Sequence, residues 1–364
     1  MWNRNKFIFY ARRALWIFIA WVTLSLLIFF YEYITLVSNN ALTSDYDLKS
    51  ALTAYLIVSI SAAIIGGTIT VNLMEYWLRR FAFWQALVLI VVVYTVVALF
   101  VGALGGLYMT GQNLDLPMFH EEVIEELMFF FGKAIFLKNY ILWLLIVVGT
   151  LIVLMVNDKF GPGVFPDYLK GKYFQPKRER RIFMFADVKD ATTIAEELGE
   201  ARYFNFLRDF FKYITPAIID TKGEVYQYVG DEIVVSWKMK KGLKKGNALR
   251  CSLKMKRLLK RKSNYFQDQY NCFPNFKVGY HFGPVMVGEM GQIKREIAFS
   301  GDVLNTTSRI QAKCNELGVD ILVSESFYKL NYQLPKNWTA VPLGDQLLKG
   351  KAEPMNLITF RNEV

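Results

Sequence analysis

Two aspartates stand where apolar, strand-like stretches of the chain end. Asp187 follows the run Ile182–Ala186, and Asp231 lies in a Gly-Asp turn inside YQYVGDEIVVSW (Tyr226–Trp237), a pattern typical of a strand, a tight turn and a second strand. A carboxylate fixed at such a point suits Mg²⁺, and two of them on neighbouring strands suit a two-metal site for displacement at phosphorus. The plainer interpretation of each is an ordinary Asp-containing turn.

Two more polar segments lie further along the chain. In GDVLNTTSR (Gly301–Arg309), Asn305 and Arg309 are four residues apart and would share one face of a helix. An amide there can orient a ribose, and a guanidinium can neutralise charge at phosphorus. Lys349 lies in the turn-like stretch Leu348–Lys351, and lysines in such turns bind phosphate. The alternatives are an N-capped helix with a surface arginine, and a solvated turn.

These pieces, in this order, resemble the class III nucleotidyl cyclase family over roughly Arg181 to Phe360. The resemblance rests on FADVKDATT, VGDEIVV, VGYHFGPVMVGEMG (Val278–Gly291), SGDVLNTTSR and LKGKAEP. It implies an α+β catalytic domain, with a ferredoxin-like sheet and helices, that converts a nucleoside triphosphate to a cyclic 3′,5′-nucleotide and pyrophosphate.

The resemblance also implies roles for individual residues. Asp187 and Asp231, together with Val188, would hold two Mg²⁺ or Mn²⁺ ions at each active site. Asn305 would position the ribose, and Arg309 would stabilise charge at the α-phosphate. The phosphates would be bound by Lys349 and by the loop after the first aspartate, which consists of Lys189, Asp190, Ala191 and Thr192.

Active sites of this family form at a head-to-tail dimer interface. The aspartates come from one subunit, and the asparagine, arginine and lysine come from the other. A chain of one type therefore implies a homodimer with two equivalent sites.

Three positions depart from the family pattern. The base-reading positions hold Gln227 and Ala298, where adenine-specific members have a Lys and an Asp or Thr. Gln can still bond a purine edge, but Ala offers no side-chain hydrogen bond, and Glu296 and Ser300 are the nearest polar substitutes. Asp190 replaces a usual Gly in the phosphate loop.

We expect ATP as the substrate, because adenylate cyclases predominate among bacterial-looking members. A guanylate or broad-specificity cyclase is the second interpretation, motivated by Gln227 and Ala298. A degenerate domain acting as a receptor or scaffold is the third, and the retention of Asp187, Asp231 and the Asn/Arg pair argues against it.

The composition divides the chain into two halves near Asp158. Of 364 residues, 53% are hydrophobic, and the excess lies in the first half. Four apolar segments approach the roughly 20 residues that span a bilayer. The sequence therefore predicts an all-α membrane domain at 1–156 with spans at about 14–35, 51–73, 81–107 and 139–156, a juxtamembrane coupling linker at 157–180 and a cyclase domain at 181–364.

Charge asymmetry predicts the orientation of this integral membrane protein. Basic residues cluster before the first span, between the second and third, and after the fourth, whereas the other two loops are acidic. The positive-inside rule places the N-terminus and the catalytic domain in the cytoplasm, below an inner or plasma membrane. The residues concerned include Arg4, Lys6, Arg12, Arg13, Arg79 and Arg80 on the basic side, Asp45, Asp47 and Asp115 on the acidic side, and the tryptophans Trp2, Trp16, Trp77 and Trp84 as interface anchors.

Two connecting segments allow alternatives. HEEVIEELMFFF, within Asp115–Lys138, predicts an amphipathic helix at the outer membrane surface. There His120 with Glu121, Glu122 and Glu125 could bind a metal or an external signal, although a solvated helix face is the plainer interpretation. The linker contains Gly161-Pro162-Gly163, Pro166 and Pro176 and therefore is not one helix, so it is either an ordered coupling element or a passive tether.

The basic runs Lys238–Lys245 and Lys254–Lys262 contribute to a net charge of +11. They lack the interleaved aromatics of nucleic-acid sites, so we expect the bilayer and no nucleic acid as the partner of this charge. The cysteines form no CxxC pair, and His281 is expected to be structural.

Helices and strands alternate in the second half, which predicts a sheet with helices on one face. Ala201–Ile219 is the strongest helical pattern, with Phe204, Leu207, Phe211 and Ile214 on one side. Phe276–Met290 is expected to form a pair of strands.

Overall fold

The computed structural model describes residues 4–42, 46–76, 83–160, 167, 170–293, 295–330 and 338–362. Its contacts divide the chain into two compact units, Met1–Val156 and Asn157–Val364. Each unit is described by itself.

The first unit consists of helices. Four of them contain segments long and apolar enough to cross a membrane: Ala11–Ser38, Leu48–Asn72, Trp84–Leu114 and Ala134–Asn157. The predicted four apolar helices are therefore confirmed, and the fourth begins earlier than expected. The helices of this unit are α1 (Arg4–Ser38), α2 (Leu48–Tyr76), α3 (Phe83–Leu114), α4 (Glu121–Phe131) and α5 (Ala134–Phe160).

Aromatic side chains and glycine pack the centre of this unit. Trp21 of α1 lies edge-on to Trp143 of α5, with ring centroids 4.8 Å apart. The Trp21 indole N–H donates to Thr150 Oγ1 at 2.8 Å, so its polar atom is satisfied inside the bundle. A Cβ at Gly66 would lie 2.6 Å from the Trp21 ring, so only glycine lets α2 approach α1 here.

Only some of the residues predicted to lie at the membrane boundary are among the described residues. Trp16 and Trp84 are exposed, at 61% and 64% of their surface. Trp2, Asp45, Trp77, Arg79 and Arg80 lie outside the described residues, and so do the side chains of Arg4 and Lys6.

The short helix α4 is a packed element. Its Val123 and Leu127 are buried, and a Cβ at Gly106 of α3 would overlap Leu127. The predicted helix is thus present, with part of its apolar side packed on α3 and with Met128 and Phe129 exposed, and its location at a membrane surface stays a prediction. Around His120, no group of three or more metal-binding side chains forms among the described residues.

The second unit is built on one mixed sheet. Its strands follow the order β2-β3-β1-β4-β6-β8-β7, and β5 pairs with β4. The β4–β6 pair is parallel and the other pairs are antiparallel. The strands are β1 (Lys177–Val188), β2 (Glu224–Val229), β3 (Glu232–Lys238), β4 (Phe276–Met290), β5 (Glu296–Ser300), β6 (Ile321–Ser324), β7 (Trp338–Gln346) and β8 (Met355–Asn362).

Helices cover both faces of this sheet. Alternate residues of β1 point to opposite faces, and Arg181–Ala186 is buried throughout. Met184 belongs to the core beneath α7 and α9, whereas Phe185 packs on the other side with Val303 of α11. The expectation of helices on one face is therefore wrong. The helices are α6 (Ala191–Leu198), α7 (Glu200–Asp220), α8 (Met239–Leu243), α9 (Asn247–Lys260), α10 (Ser263–Tyr270), α11 (Asp302–Glu316) and α12 (Glu325–Tyr328).

Two further sequence predictions need correction. Phe276–Met290 is one continuous strand, which pairs with β1 from Phe276 to Val287 and with the separate strand β5 from Met286 to Met290. On α7 the buried residues include Phe206, Phe210 and Ile214, while Phe204 is 69% exposed. The true buried side of α7 is thus rotated from the predicted one.

The described part of the linker packs on the sheet. Tyr173 is 5% exposed and its carbonyl accepts from the Glu289 N–H at 3.0 Å. Lys172 Nζ lies 2.7 Å from Asp167, and β1 begins at Lys177, within the segment assigned to the linker. This end of the linker is therefore ordered. Gly161, Pro162, Gly163 and Pro166 lie outside the described residues.

Candidate active site

The sheet brings the two predicted aspartates together. Asp187, near the end of β1, is paired in register with Glu232, the first residue of β3. Asp231 immediately precedes Glu232 in the β2–β3 turn, which Gly230 makes with φ +60°. The Asp187 carboxyl group is therefore close enough to Asp231 to raise its pKa.

Two further side chains hold Asp187, and the sequence patterns did not single them out. Lys277 Nζ of β4 and Gln311 Nε2 of α11 each lie 3.1 Å from Asp187 Oδ2. Lys277 stands directly opposite Asp187 in the β1–β4 register. The sequence signal for Lys277 was a single lysine within the strand FKVGY. No sequence signal pointed to Gln311, because its contact with Asp187 depends on how α11 packs.

Glycines in β4 explain why α11 reaches this site. A Cβ at Gly279 would lie 2.5 Å from Gln311 N and 2.7 Å from its Cα. At Gly283 it would lie 3.2 Å from the Val303 side chain. Without side chains at these positions α11 lies directly on the strand, and it carries the buried Gln311 to Asp187.

The site has an excess of negative charge. Burial, and then the hydrogen bond and negative charge of Asp187, raise the pKa of Asp231 to about 6. Burial and the charges of Asp187 and Asp231 raise the pKa of Glu232 to about 7, and the same causes raise the pKa of Tyr203 to about 12. The nearby Lys277 acts in the opposite direction on both acids.

This donor set fits a hard divalent cation. Carboxylate oxygens are the ligands that Mg²⁺ and Mn²⁺ prefer, and a cation would relieve the repulsion between the acids. Val188 has a hydrocarbon side chain, so only its backbone carbonyl could act as a ligand. No group of three or more His, Cys, Asp or Glu side chains converges within the described ranges, so substrate oxygens or water would complete the coordination.

The phosphate loop differs in one respect from expectation. The Lys189 N–H donates to the Asn275 carbonyl at 2.9 Å, and Lys189 Nζ lies 2.5 Å from Asp320 Oδ1. Lys189 is therefore engaged within the fold. Asp190 has φ +55°, in the left-handed region that favours glycine, and it precedes α6, whose first residues Ala191 and Thr192 lack a side-chain cap.

Helix α11, which carries Asn305 and Arg309, contacts the turn that contains Lys349. Arg309 Nη1 donates to the Gly350 carbonyl at 3.3 Å, and Lys351 Nζ lies 2.5 Å from Asp302 at the start of α11. Lys349 and Asn305 are exposed. Since Arg309 and Gln311 are two residues apart, they point to opposite sides of α11. Arg309 therefore faces away from the aspartates of its own chain.

The two positions predicted to read the base lie on strands that touch. Gln227 is exposed on β2, just after a bulge, and Ala298 of β5 is half-buried opposite Gly288. The neighbouring rings of Tyr226 and Phe299 are 4.7 Å apart, and the Phe299 N–H donates to the Tyr226 hydroxyl at 3.3 Å. This contact fixes β5 against β2.

Comparisons with known proteins agree with this geometry. Residues 175–360, a little over half of the chain, match the family model described as the adenylate and guanylate cyclase catalytic domain. Adenylate cyclase 2 of Rhizobium meliloti (strain 1021) is 27% identical over 223 residues, which are 61% of this chain and 61% of that protein. The adenylate cyclase of Anabaena cylindrica is 26% identical over 213 residues, 56% of this chain and 41% of that protein.

The chain thus spans less than two thirds of the length of either relative. The structure of a bacterial light-regulated adenylyl cyclase superimposes with a TM-score of 0.51 at 21% identity, over 62% of this chain and 65% of that one. The similarity to that structure is a similarity of fold.

Proposed function

Because the chain belongs to the family of adenylate and guanylate cyclase catalytic domains, we propose that it is a membrane-anchored adenylate cyclase that converts ATP to cyclic AMP and pyrophosphate. The observation that carries the proposal is the pair of carboxylates at the adjoining ends of β1 and β3, Asp187 and Asp231, of which Asp187 is held by Lys277 and Gln311. Two half-buried carboxylates so close together repel each other, and a bound cation would offset that repulsion.

Asp187, Asp231 and the Val188 carbonyl would hold two Mg²⁺ or Mn²⁺ ions per site. Bound ions of this kind supply positive charge for the triphosphate and lower the pKa of the ribose 3′-hydroxyl. The exposed start of α6, at Ala191 and Thr192, presents backbone N–H groups to the phosphates.

The remaining roles in the reaction belong to residues of α11 and of the turn that contains Lys349. The ribose 3′-oxygen attacks the α-phosphorus and pyrophosphate leaves. Arg309, held at the Gly350 carbonyl, stabilises the negative charge that develops on the α-phosphate oxygens, and Asn305 orients the ribose. Lys349 binds the leaving phosphates.

These two halves meet in a homodimer. Arg309 points away from the aspartates of its own chain, which supports a site that takes Arg309 and Asn305 from a second copy. A twofold pair of this kind forms two equivalent sites.

Adenine is the proposed base because the relatives described above are adenylate cyclases. A guanylate or broad-specificity cyclase is the second candidate, and the observation favouring it is Ala298, whose side chain cannot hydrogen-bond a base. Gln227, exposed on β2, can bond either purine.

The four apolar helices anchor this enzyme in a bilayer. We place the N-terminus and the catalytic unit on the cytoplasmic side, where the basic flanks Arg12 and Arg13 and the nucleoside triphosphates both belong.

A product assay tests the proposal. Full-length protein in detergent receives Mn²⁺ with ATP or GTP, and the product is identified by mass. We expect cyclic AMP, at least about a hundredfold less of it from Asp231→Ala, and normal amounts from the exposed-surface control Asp268→Ala. Cyclic GMP alone would select the second candidate, and no product from a dimeric sample would overturn the cyclase proposal.

A further inference from the structure

A large cavity lies in the membrane unit. It has a volume of about 1010 Å³, is partly open, and is lined by residues of α1, α2, α3, α4 and α5. Its lining comes from the later halves of α1 and α3 and the earlier halves of α2 and α5, so it occupies one end of the helix bundle, remote from the C-terminal end of α5. Sites for drug-sized ligands have volumes of roughly 300–1,000 Å³.

The walls of this cavity are held in place by close packing. A Cβ at Gly105 of α3 would overlap Val58 of α2, and one at Gly106 would overlap Leu127 of α4. The buried Val123 and Leu127 fix α4 against α3. The cavity is therefore bounded by packed helices, and α4 is one of its walls.

Two buried polar atoms in the lining have no hydrogen-bond partner within the described part of the chain. They are Asn139 Oδ1 and Trp143 Nε1, one turn apart on α5. Their neighbours are satisfied, since Trp21 donates to Thr150 and the Tyr140 hydroxyl lies 2.7 Å from Thr95 Oγ1. An unmade hydrogen bond in an apolar segment is unfavourable, so a group that donates to Asn139 and accepts from Trp143 would be favoured here.

The lining is also acidic, with four glutamates against one lysine. Lys133 Nζ lies 2.8 Å from Glu126, and Lys138 Nζ lies 2.8 Å from Glu32. Each of these pairs neutralises one glutamate. The lining contains two more, Glu122 and Glu125.

We propose that this cavity binds an amphipathic organic cation. Its apolar body would lie among aromatic rings such as Phe29, Tyr55 and Phe136, which also attract a cation through their faces. Its ammonium group faces the glutamates, and a hydroxyl or amide group bonds Asn139 and Trp143. Anionic amphipaths such as fatty acids are repelled. The proposal concerns binding to the membrane unit and does not depend on cyclase activity.

The probe for this site is a brominated long-chain alkylamine, because bromine quenches tryptophan fluorescence on contact. Full-length protein in a neutral detergent is titrated with the amine and with the alcohol and carboxylate of the same chain. We expect saturable quenching by the amine, binding about tenfold weaker for the alcohol, and no saturable quenching by the carboxylate. Equal quenching by all three would show simple apolar partition and would overturn the proposal.

Variants locate the site. Trp143→Phe should remove most of the saturable quenching, whereas Trp84→Phe, at an exposed position outside the lining, should keep it. Glu122→Gln combined with Glu125→Gln should weaken the amine about tenfold and leave the alcohol unchanged. Loss of alcohol binding to the same degree would contradict a charge-based site, and the elution volume in gel filtration checks that each variant is folded.

Lipid discs of two compositions test whether the natural cation is a bilayer amine or a soluble amine. Weaker probe binding in discs that contain phosphatidylethanolamine, relative to phosphatidylcholine alone, would identify a bilayer amine as the natural occupant. Unchanged binding would identify a soluble amine, and either result leaves the cation-binding chemistry standing.

Discussion

At the scale of single residues, Asp187 is the most constrained group of the site. Its Oδ2 atom receives both Lys277 and Gln311, while its partner Asp231 lies in a turn. Such contacts fix the direction in which a carboxylate presents its remaining lone pairs to a metal. Gln311 is therefore a positioning residue for the proposed metal site.

Gln311→Leu tests that role. The substitution keeps the volume and removes the hydrogen bond, so we expect the apparent affinity for Mn²⁺ to fall about tenfold, with a smaller effect at saturating Mn²⁺. Cyclase rates measured across a Mn²⁺ titration provide the readout, and Gln267→Leu, at an exposed position, is the matched control. A Mn²⁺ dependence that did not move would contradict the role.

The environment of His281 should make the stability of the protein depend on pH. Burial, and then the charge of Lys351, lower the pKa of His281 to about 4, with Asp302 acting in the opposite direction, and its Nδ1 lies 2.7 Å from Ser324 Oγ. The unfolded chain binds a proton near pH 6.5, so unfolding takes up a proton between the two values. Stability is full above about pH 6.5 and should fall by at most about 3 kcal/mol as the pH drops to 4.

Denaturant unfolding of the full-length protein at a series of pH values measures this slope. His281→Gln should flatten the fall between pH 6.5 and 4, whereas His120→Gln, at an exposed position, should leave it intact. A wild-type slope in the His281 variant would assign the pH dependence to other groups.

At the scale of elements, the approach of α11 to β4 decides the shape of the site. Gly279 meets the backbone of Gln311, which cannot move without shifting the helix, whereas Gly283 meets only the Val303 side chain. The same strand therefore carries two glycines with different tolerance of a methyl group.

Gly279→Ala should destabilise the catalytic unit by about 1–3 kcal/mol and reduce activity, because α11 must move off the strand. Gly283→Ala is the matched control, and its effect should be smaller. Thermal unfolding and the Mn²⁺ titration together measure both changes. Equal effects of the two substitutions would mean that the helix is not held at Gly279.

The elements that could be predicted from sequence are those whose signals are local. The β2–β3 hairpin and the helices α6 and α7 follow from turn residues and apolar periodicity. The edge strand β7 was missed, because it contains Pro342 and a register shift before Asp345. The buried side of α7 was misjudged at Phe204, since packing against the sheet, rather than aromatic content, selects the face.

The same division applies to the site. Asp187 and Asp231 could be predicted because each ends a recognisable strand. Lys277 and Gln311 could not, because their contact with Asp187 depends on a cross-strand register and on a helix that crosses the sheet. Neither that register nor that helix packing can be deduced from the residues that flank Lys277 or Gln311 in the sequence.

At the scale of the whole molecule, four apolar helices precede a cyclase catalytic domain, and the proposed active sites need two copies of that domain. The Arg309 side of α11 faces away from the aspartates, so each proposed site draws on two chains. Tyr173 is the linker residue that packs into the catalytic unit. Its side chain belongs to the buried cluster that includes Phe183 and Val287.

The measurement that tests the central claim most directly is complementation between two inactive chains. Asp231→Ala and Arg309→Ala are purified alone and then co-expressed and purified together, and cyclic AMP is identified by mass. In a shared site, each mixed dimer has one site with both changes and one intact site. We expect negligible product from either variant alone and about one quarter of the wild-type rate from a random mixture. A mixture as inactive as its components, in a sample shown to contain mixed dimers, would contradict a cyclase site shared between two copies.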